Sequence, residues 1–205
     1  MQKRWVLKPK NDSNKVNKLK TELGVNDIVA NLLVSREVET FEQARYFFRP
    51  SLDHLHDPFL MKDMDQAITR IEKAIGNKEK ILIYGDYDVD GTTAVSVVYS
   101  FFRTFHTGIE FYIPDRYAEG YGISTQGIDY AAENGFSLII ALDCGIKAIE
   151  KVEYAKSKGI DFIIGDHHLP GASIPDAVAV LDPKRADCAY PYKELSGCGI
   201  GFKII

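Results

Sequence analysis

The spacing of hydrophobic residues divides this 205-residue chain into two parts. In the first part, apolar residues recur at intervals of three and four, most clearly over 25–34 and 67–75, which predicts helices. From Lys80 onward, short runs rich in Ile, Val, Phe and Tyr alternate with helical patterns, which is typical of strand-helix-strand units. We therefore predict a helical N-terminal segment over 1–77 and, over 78–205, an α/β domain with a parallel five-stranded sheet flanked by helices.

Individual elements follow from the same pattern. It predicts strands at 80–86, 109–115, 137–143, 161–166 and 177–182. The clearest helices between the strands are predicted at 92–105, 124–134 and 146–158. In the N-terminal segment, Thr40 with Gln43 and Asp63 with Gln66 are spaced as helix-starting caps.

Every predicted strand ends on an aspartate. These residues are Asp86, Asp115, Asp143, Asp166 and Asp182. Taken singly, each is commonly a turn former or a helix cap. The carboxyl ends of parallel strands meet at one edge of a sheet, where ligands bind. Carboxylates gathered there repel one another unless they are protonated or share cations, so the group favours a divalent-metal site.

The loop after the first predicted strand carries the densest local signal. Asp86 and Asp88 lie two residues apart in an extended turn, so both carboxylates can reach one side, and Gly91 lets the backbone approach closely. Asp90 is a third candidate ligand or a helix cap. The alternative is a calcium loop of the EF-hand type, but Val97 stands where that loop requires glutamate.

A second signal follows the fourth predicted strand, where Asp166, His167 and His168 are consecutive. Carboxylate and imidazole together suit manganese or a similar transition ion. Asp143 is the candidate bridge between two ions, one held by the first aspartate loop and the other by Asp88 and His167. Two ions a few ångströms apart can activate a water and stabilise both oxygens of a displaced phosphate ester.

Composition narrows the classes of protein. The net charge of −4 argues against a protein that coats nucleic acid by charge alone. The three cysteines lack a Cys-x-x-Cys spacing, which predicts free thiols and a reducing compartment. Since no apolar run is long enough to span a bilayer, we expect a cytoplasmic protein without a membrane segment.

Taken together, these motifs resemble the DHH phosphoesterase superfamily, named after its Asp-His-His motif, and within it the RecJ family of single-stranded-DNA-specific exonucleases. The resemblance covers nearly the whole chain, with its motifs at 85–91, 112–122, 142–145, 165–168 and 195–203. It implies a metal-dependent 5′→3′ exonuclease acting on single-stranded DNA in repair and recombination. It also implies two Mn²⁺ or Mg²⁺ ions, a monomer, and a single-strand-binding protein as partner.

The resemblance implies roles for individual residues. The metal ligands would be Asp86, Asp88, Asp143 and His167, and Asp166 and His168 would complete the motif. His168 would approach the scissile phosphate, and Arg116 would neutralise phosphate charge beside it. The structural alternatives are a hydrogen-bonding role for His168 and an ion pair with Asp115 or Glu119 for Arg116. Asp182 is a weaker candidate ligand, because Leu181-Asp182-Pro183-Lys184 predicts a turn.

The chain departs from the family pattern in two places. Some members carry a histidine before the first aspartate pair, where this chain has Leu82-Ile83-Tyr84, which implies fewer ligands for the first ion. The sequence ends within a predicted helix at 201–205, before the family's fourth metal-binding aspartate, so we expect a fragment. A hydrolase of short oligonucleotides or small nucleotides is the rival enzyme, although the helical segment before Lys80 favours the nuclease. For the fragment alone, an inactive metal- or nucleotide-binding module is the third alternative.

Overall fold

Three short helices form the N-terminal part because each one places its apolar residues on one face. In the computed structural model, which describes residues 4–205, they are α1 (Ser13–Leu23), α2 (Asp27–Val34) and α3 (Phe41–Phe48), followed by a 3-10 turn at Leu52–His54. Their shared core contains Leu19, Ala30, Leu33 and Ala44. The capping box predicted for Thr40 and Gln43 is confirmed at the start of α3.

The next helix belongs with the sheet. Contacts divide the chain into two units, Met1–Leu55 and His56–Ile205. The hydrophobic pattern of the sequence changes only at 77/78, because α4 (Met64–Gly76) is a helix like those of the N-terminal part. It follows a 3-10 turn at Pro58–Leu60. The buried face of α4 joins the core that covers the sheet through Met64, Ala67, Ile71 and Ala74.

Asp63 precedes α4, but it does not cap the helix as predicted. Its backbone is left-handed, with φ of 67°, and its side chain makes no hydrogen bond to the first turn. The carboxylate instead accepts from the backbone N–H of Val180, at 3.3 Å, and from the Arg185 guanidinium. The prediction of a local cap was therefore wrong, because a distant cation and a strand-edge donor compete for the same oxygen.

The predicted parallel five-stranded sheet is confirmed. Its strands are β1 (Lys80–Gly85), β2 (Ile109–Tyr112), β3 (Phe136–Leu142), β4 (Asp161–Gly165) and β5 (Ala179–Leu181). They pair in the order β2-β1-β3-β4-β5, and every pair is parallel. Because β1 and β3 carry apolar side chains on both faces, helices cover the sheet on both sides.

Four further helices complete the second unit: α5 (Val89–Phe102), α6 (Thr125–Glu133), α7 (Ile149–Ser157) and α8 (Gly197–Ile204). With α4, helices α5 and α8 cover one face of the sheet, and α6 and α7 cover the other. Burying each Leu, Ile or Val of these two cores contributes roughly 1.5–3 kcal/mol to folding. Within residues 4–205, none of the helices combines the length and the apolar composition that a membrane crossing requires.

Strand β2 is shorter than its sequence pattern predicts. It ends at Tyr112, and Pro114, which has no N–H to donate to the sheet, follows two residues later. Asp115 is consequently exposed, and its side chain accepts from the backbone N–H groups of Tyr117 and Ala118. The prediction that Asp115 ends a strand was wrong, and its carboxylate forms a local turn.

A buried ion-pair network lies at the amino ends of the strands. Arg70 of α4 is 9% exposed, and its guanidinium donates to Asp161 at the start of β4 and to Glu79 just before β1, both at 2.7 Å. The hydrogen bond from Ser137, with burial opposing it and Arg70 adding to it, lowers the pKa of Glu79 to about 2. The network ties α4 to two strands on the side of the sheet away from the aspartates.

Candidate metal centre

The opposite edge of the sheet collects the other four aspartates. Asp86, Asp143, Asp166 and Asp182 each follow the last residue of a strand, and each is at most 1% exposed. One carboxylate oxygen of Asp86, of Asp143 and of Asp182 is buried without a hydrogen-bond partner among the described residues. Buried carboxylate oxygens without partners are rare and unfavourable, and a bound cation supplies what they lack.

Asp166 orients the histidine pair. Its Oδ1 accepts from the backbone N–H groups of His167 and His168 and lies 2.7 Å from Nδ1 of His168. Its Oδ2 accepts from the backbone N–H of Ile146 at 2.9 Å. Because a carboxylate only accepts, Nδ1 of His168 carries the proton and Nε2 is left facing outward. Asp166 thus has both oxygens occupied and acts by fixing the His168 ring.

The ring of His168 has the hydrogen-bonding role that the sequence offered as its structural alternative, and its approach to a phosphate stays a prediction. Its ring is held by Asp166, and its Nε2 lies 3.4 Å from the hydroxyl of Tyr121. Burial lowers the pKa of His168, but the hydrogen bond and the charge of Asp166 outweigh it and raise the pKa above its ordinary value. The side chain is 44% exposed, so the ring can be reached from solvent.

Asp143 and His167 approach each other closely at this edge. Nε2 of His167 lies 3.1 Å from Oδ1 of Asp143, which is the oxygen that makes no hydrogen bond, and the ligand atoms of Asp143, His167 and His168 all lie within 4.8 Å of one another. Burial, followed by the charges of Asp90 and Asp88, raises the pKa of Asp143 to about 7. Its backbone is left-handed, with φ of 61°, which is uncommon outside glycine and marks a constrained site.

The first aspartate loop lies within electrostatic reach of this pair. Asp86 is buried, its Oδ1 accepts from the N–H of Tyr87, and burial and the charge of Asp88 raise its pKa. Asp88 is exposed and caps α5 by accepting from the N–H of Gly91 at 3.0 Å. A Cβ on Gly91 would come within 2.5 Å of the Asp86 carbonyl oxygen, so the predicted close approach is confirmed.

Asp90 is a helix cap, but for a helix that lies far along the chain. Its Oδ2 accepts from the N–H of Gly197 at 2.7 Å and its Oδ1 from that of Cys198 at 2.8 Å, at the N-terminus of α8. Oδ2 also lies 3.6 Å from Nε2 of His167. The predicted cap of the helix that follows the loop is wrong for Asp90, because Asp88 caps α5 and Asp90 caps α8; a role for Asp90 as a metal ligand stays a prediction.

Gly197 is a further site residue that the sequence reading did not single out. A Cβ at this position would lie 2.5 Å from both Cβ and Oδ1 of Asp143, closer than real side chains approach. Tyr121 was also missed. Both residues lie inside the quoted motifs, and the run of small residues around Gly197 was the only local signal of a close approach.

Asp182 forms the predicted turn and also faces the buried edge. Its Oδ1 accepts from the N–H of Lys184 at 2.7 Å, while burial raises the pKa of the carboxyl to about 6. Asp182 is wholly buried and lies within electrostatic reach of Asp166. Its second oxygen is one of the three without a partner.

Arg116 takes neither of the ion pairs that the sequence offered as structural alternatives. Its guanidinium lies over the ring of Tyr87, 5.3 Å from the centroid. Asp115 and Glu119 are instead occupied by backbone N–H groups and by hydroxyl donors. Tyr87 in turn meets the ring of Tyr121 edge-on at 6.1 Å, so an aromatic row runs from Arg116 towards His168.

Comparisons with known proteins agree with this fold. Residues 80–205 match the DHH family, N-terminal domain. The single-stranded-DNA-specific exonuclease RecJ of Bacillus subtilis is 45% identical over 201 residues, which are 98% of this chain and 25% of that protein. The chain thus spans about a quarter of that relative's length.

Two solved structures are also similar. RecJ in complex with Mn²⁺ from Thermus thermophilus superposes with a TM-score of 0.72 at 21% identity, over 96% of this chain and 27% of that one. An exonuclease RecJ bound to manganese gives a TM-score of 0.64 at 26% identity, over 70% of this chain and 36% of that one. The DHH match covers more than half of the sequence and includes the first aspartate loop, Asp143 and the Asp-His-His motif, so this chain belongs to the DHH family.

Proposed function

We propose that the protein carrying this chain is a metal-dependent exonuclease that removes nucleotides from the 5′ end of single-stranded DNA. The observation that carries the proposal is the cluster of buried carboxylates around the Asp143–His167 pair, with unsatisfied oxygens on Asp86 and Asp143. The similarity to RecJ over 98% of the chain supports single-stranded DNA as the substrate. The resemblance adds a monomer and a single-strand-binding protein as partner to the proposal.

The residues present fit two divalent cations. Carboxylate oxygens with an imidazole nitrogen suit Mn²⁺, and all-oxygen sites suit Mg²⁺. Asp86, Asp88, Asp143 and His167 would hold the ions, and Asp143 would contribute to both. The exonuclease RecJ that is 26% identical is bound to manganese, which supports this choice of ion. Bound divalent cations supply an activated water and stabilise charge on phosphate oxygens.

The chain's own side chains supply the remaining functions. Asp166 holds the His168 ring so that its Nε2 is presented outward, next to the Tyr121 hydroxyl. Because Asp166 holds the Nδ1 side of the ring, Nε2 is the nitrogen of His168 that can make a hydrogen bond to a phosphate oxygen. Asp90 and Gly197 keep the backbone of α8 against Asp143 and so limit movement of the bridging carboxylate.

Single-stranded nucleic acid is commonly bound by aromatic rings beside cationic groups, because every base has a face that can stack. The row of Arg116, Tyr87 and Tyr121 provides such a surface next to His168. Tyr121 is 63% exposed, so its ring is open to a base. This arrangement supports a single strand leading to the site and gives Arg116 a position from which it can meet phosphate.

The test is hydrolysis of end-labelled single strands in Mn²⁺, with Mn²⁺ binding measured in parallel by electron paramagnetic resonance. We expect Asp143→Asn to abolish both signals. Asp115→Asn is the matched control, because it also follows a strand but lies outside the cluster and should leave both unchanged. Unimpaired Mn²⁺ binding by Asp143→Asn would contradict the proposed ligand set, whether or not the 205-residue chain turns over substrate alone.

The choice of substrate needs a second comparison. A dinucleotide and a long single strand should be offered at equal concentrations, and products from 5′-labelled and 3′-labelled strands should be resolved. Faster release of the 5′ label from the long strand is the expected result. Preference for the dinucleotide would instead identify a hydrolase of small nucleotides.

A further inference from the structure

A cavity of about 330 Å³ opens beside His168, outside the Asp143–His167 pair. Its walls come from the loop before α6, the turn between β3 and α7, the first turn of α7 and the residues after β4. The volume lies at the lower end of the range for small-ligand sites, which bury most of the surface of a ligand. A single nucleoside is a ligand of this size.

The lining combines apolar side chains with two cations. Tyr121, Ile123 and Ile146 provide the apolar part, and Lys147 and Lys151 bring ammonium groups. A nucleobase has an apolar face and a polar edge, so it suits a pocket with an aromatic wall. A wholly apolar ligand would leave the positive charge of the lysines uncompensated. A free phosphate would leave most of the apolar lining uncovered.

The cavity shares two residues with the proposed metal centre. His168 and Asp166 both form part of the lining of the cavity. Tyr121 connects the cavity to the aromatic row, because its hydroxyl lies 3.4 Å from Nε2 of His168 and its ring meets the His168 ring edge-on at 6.4 Å. A nucleoside unit of the strand that lies in the cavity would therefore have the phosphate attached to it close to His168.

The two lysines are placed differently. Lys151 is partly buried, and its amine donates to the hydroxyl of Thr125, which fixes the direction of the side chain. Lys147 is exposed, lies two residues before α7 begins and lines the cavity from its solvent-exposed side. Cations at the rim would meet the phosphate and leave the interior to the base.

We propose that this cavity binds one nucleoside unit of the substrate, adjacent to the scissile phosphate, with Tyr121 against the base and Lys147 and Lys151 towards phosphate oxygens. The inference rests on the proposed function, because it names the place where that site holds part of its substrate. It predicts that nucleotide binding needs no metal, because the contacts with Tyr121, Lys147 and Lys151 do not involve a metal ion.

The experiment is isothermal titration of the 205-residue chain with thymidine 5′-monophosphate, thymidine and inorganic phosphate, each with EDTA present. The monophosphate should bind more tightly than either of its parts. Lys147→Met should weaken its binding roughly tenfold, as expected for one lost hydrogen bond between charged groups, and Lys147→Arg should largely restore it. Lys156→Met is the control, because Lys156 lies elsewhere on α7 and pairs with Asp176.

Several results would overturn the inference. Equal affinity for phosphate and for the monophosphate would show an anion site without a base pocket. Unchanged binding by Lys147→Met, in a variant that melts like the wild type, would remove the lysine from the site. Chemical-shift changes caused by the monophosphate should centre on residues 121–123 and 144–151, and changes centred elsewhere would also refute it.

Failure of this inference is distinguishable from failure of the proposed function. Mn²⁺ binding and strand hydrolysis without binding of the monophosphate in EDTA would refute the pocket alone. Binding of the monophosphate with no Mn²⁺ binding would refute the metal centre and leave the pocket standing.

Discussion

Replacing Asp143 by asparagine in the metal-free chain removes a charge that folding has to bury. Asp143 is 1% exposed, and burial raises its pKa from 3.8 to about 7. The folded state therefore holds the proton more tightly than the unfolded state. This contribution to stability is complete below the unfolded pKa near 3.8 and is lost as the pH rises through about 7. Asparagine keeps the shape, tolerates the left-handed backbone and does not ionise.

The size of the effect follows from the pKa difference. About three units, at roughly 1.36 kcal/mol each, give a loss of about 4 kcal/mol over the full range. Roughly two of those units fall between about pH 5 and about pH 8, so the wild type should lose about 2–3 kcal/mol relative to Asp143→Asn across that interval. The neighbouring charges of Asp90 and Asp88 belong to both proteins, so the comparison isolates one carboxyl.

The assay is urea unfolding at both pH values in EDTA, with the free energy of unfolding compared between the two proteins. Asp115→Asn is the control, because hydrogen bonds from Ala118 and Tyr117 lower the pKa of that exposed carboxyl and no loss with rising pH is expected from it. Excess Mn²⁺ should reverse the order at the higher pH, because an ion that binds only the folded state stabilises the wild type. A wild-type-minus-variant difference that does not change with pH would refute the reasoning.

Three further perturbations test the supports of the site. Gly197→Ala should weaken Mn²⁺ binding at least tenfold in a paramagnetic-resonance titration, because its Cβ would lie 2.5 Å from Asp143. Gly199→Ala is the control, because its Cβ would lie 3.2 Å from the nearest atom, in the side chain of Leu195. Equal affinity in the two variants would contradict the close approach. Asp90→Ala should lower the unfolding free energy by about 1–3 kcal/mol, since it removes both acceptors from the start of α8; unchanged amide hydrogen exchange at Gly197 would count against it. Arg70→Met should destabilise the chain by about 1–3 kcal/mol in thermal unfolding because it leaves the half-buried Glu79 without its cation, and no measurable loss would show that water compensates.

Local patterns were sufficient to predict the sheet and its carboxylate edge. The run from Lys80 to Gly85 is almost continuously apolar because β1 is covered on both faces, and the aspartates that follow β1, β3, β4 and β5 do meet at one edge. The strand predicted at 109–115 extended too far, because β2 ends at Tyr112 and Pro114 follows two residues later. Periodicity records which residues are apolar, and it does not record which backbone groups lose their partners.

The parts that were missed depend on partners far away in sequence. Asp90 was open between two local roles, and its acceptors serve donors 107 and 108 residues later. Asp63 had the spacing of a cap, yet it bonds to Val180 and Arg185 more than a hundred residues away. Residue 197 has to be glycine because a Cβ there would clash with the side chain of Asp143, and no local sequence pattern predicts this contact. Pairings of this kind become visible only when three-dimensional contacts are known.

The bond between Asp90 and the first turn of α8 also bears on how the protein is made. A ribosome releases the chain from its N-terminus, and the aspartate loop emerges long before residues 197 and 198 do. Closing so long a loop is slow compared with forming local helices, so the bonds between Asp90 and α8 form only after residues 197 and 198 have been made. Synthesis would therefore complete this side of the candidate metal centre late, after β1 and α5 have already emerged.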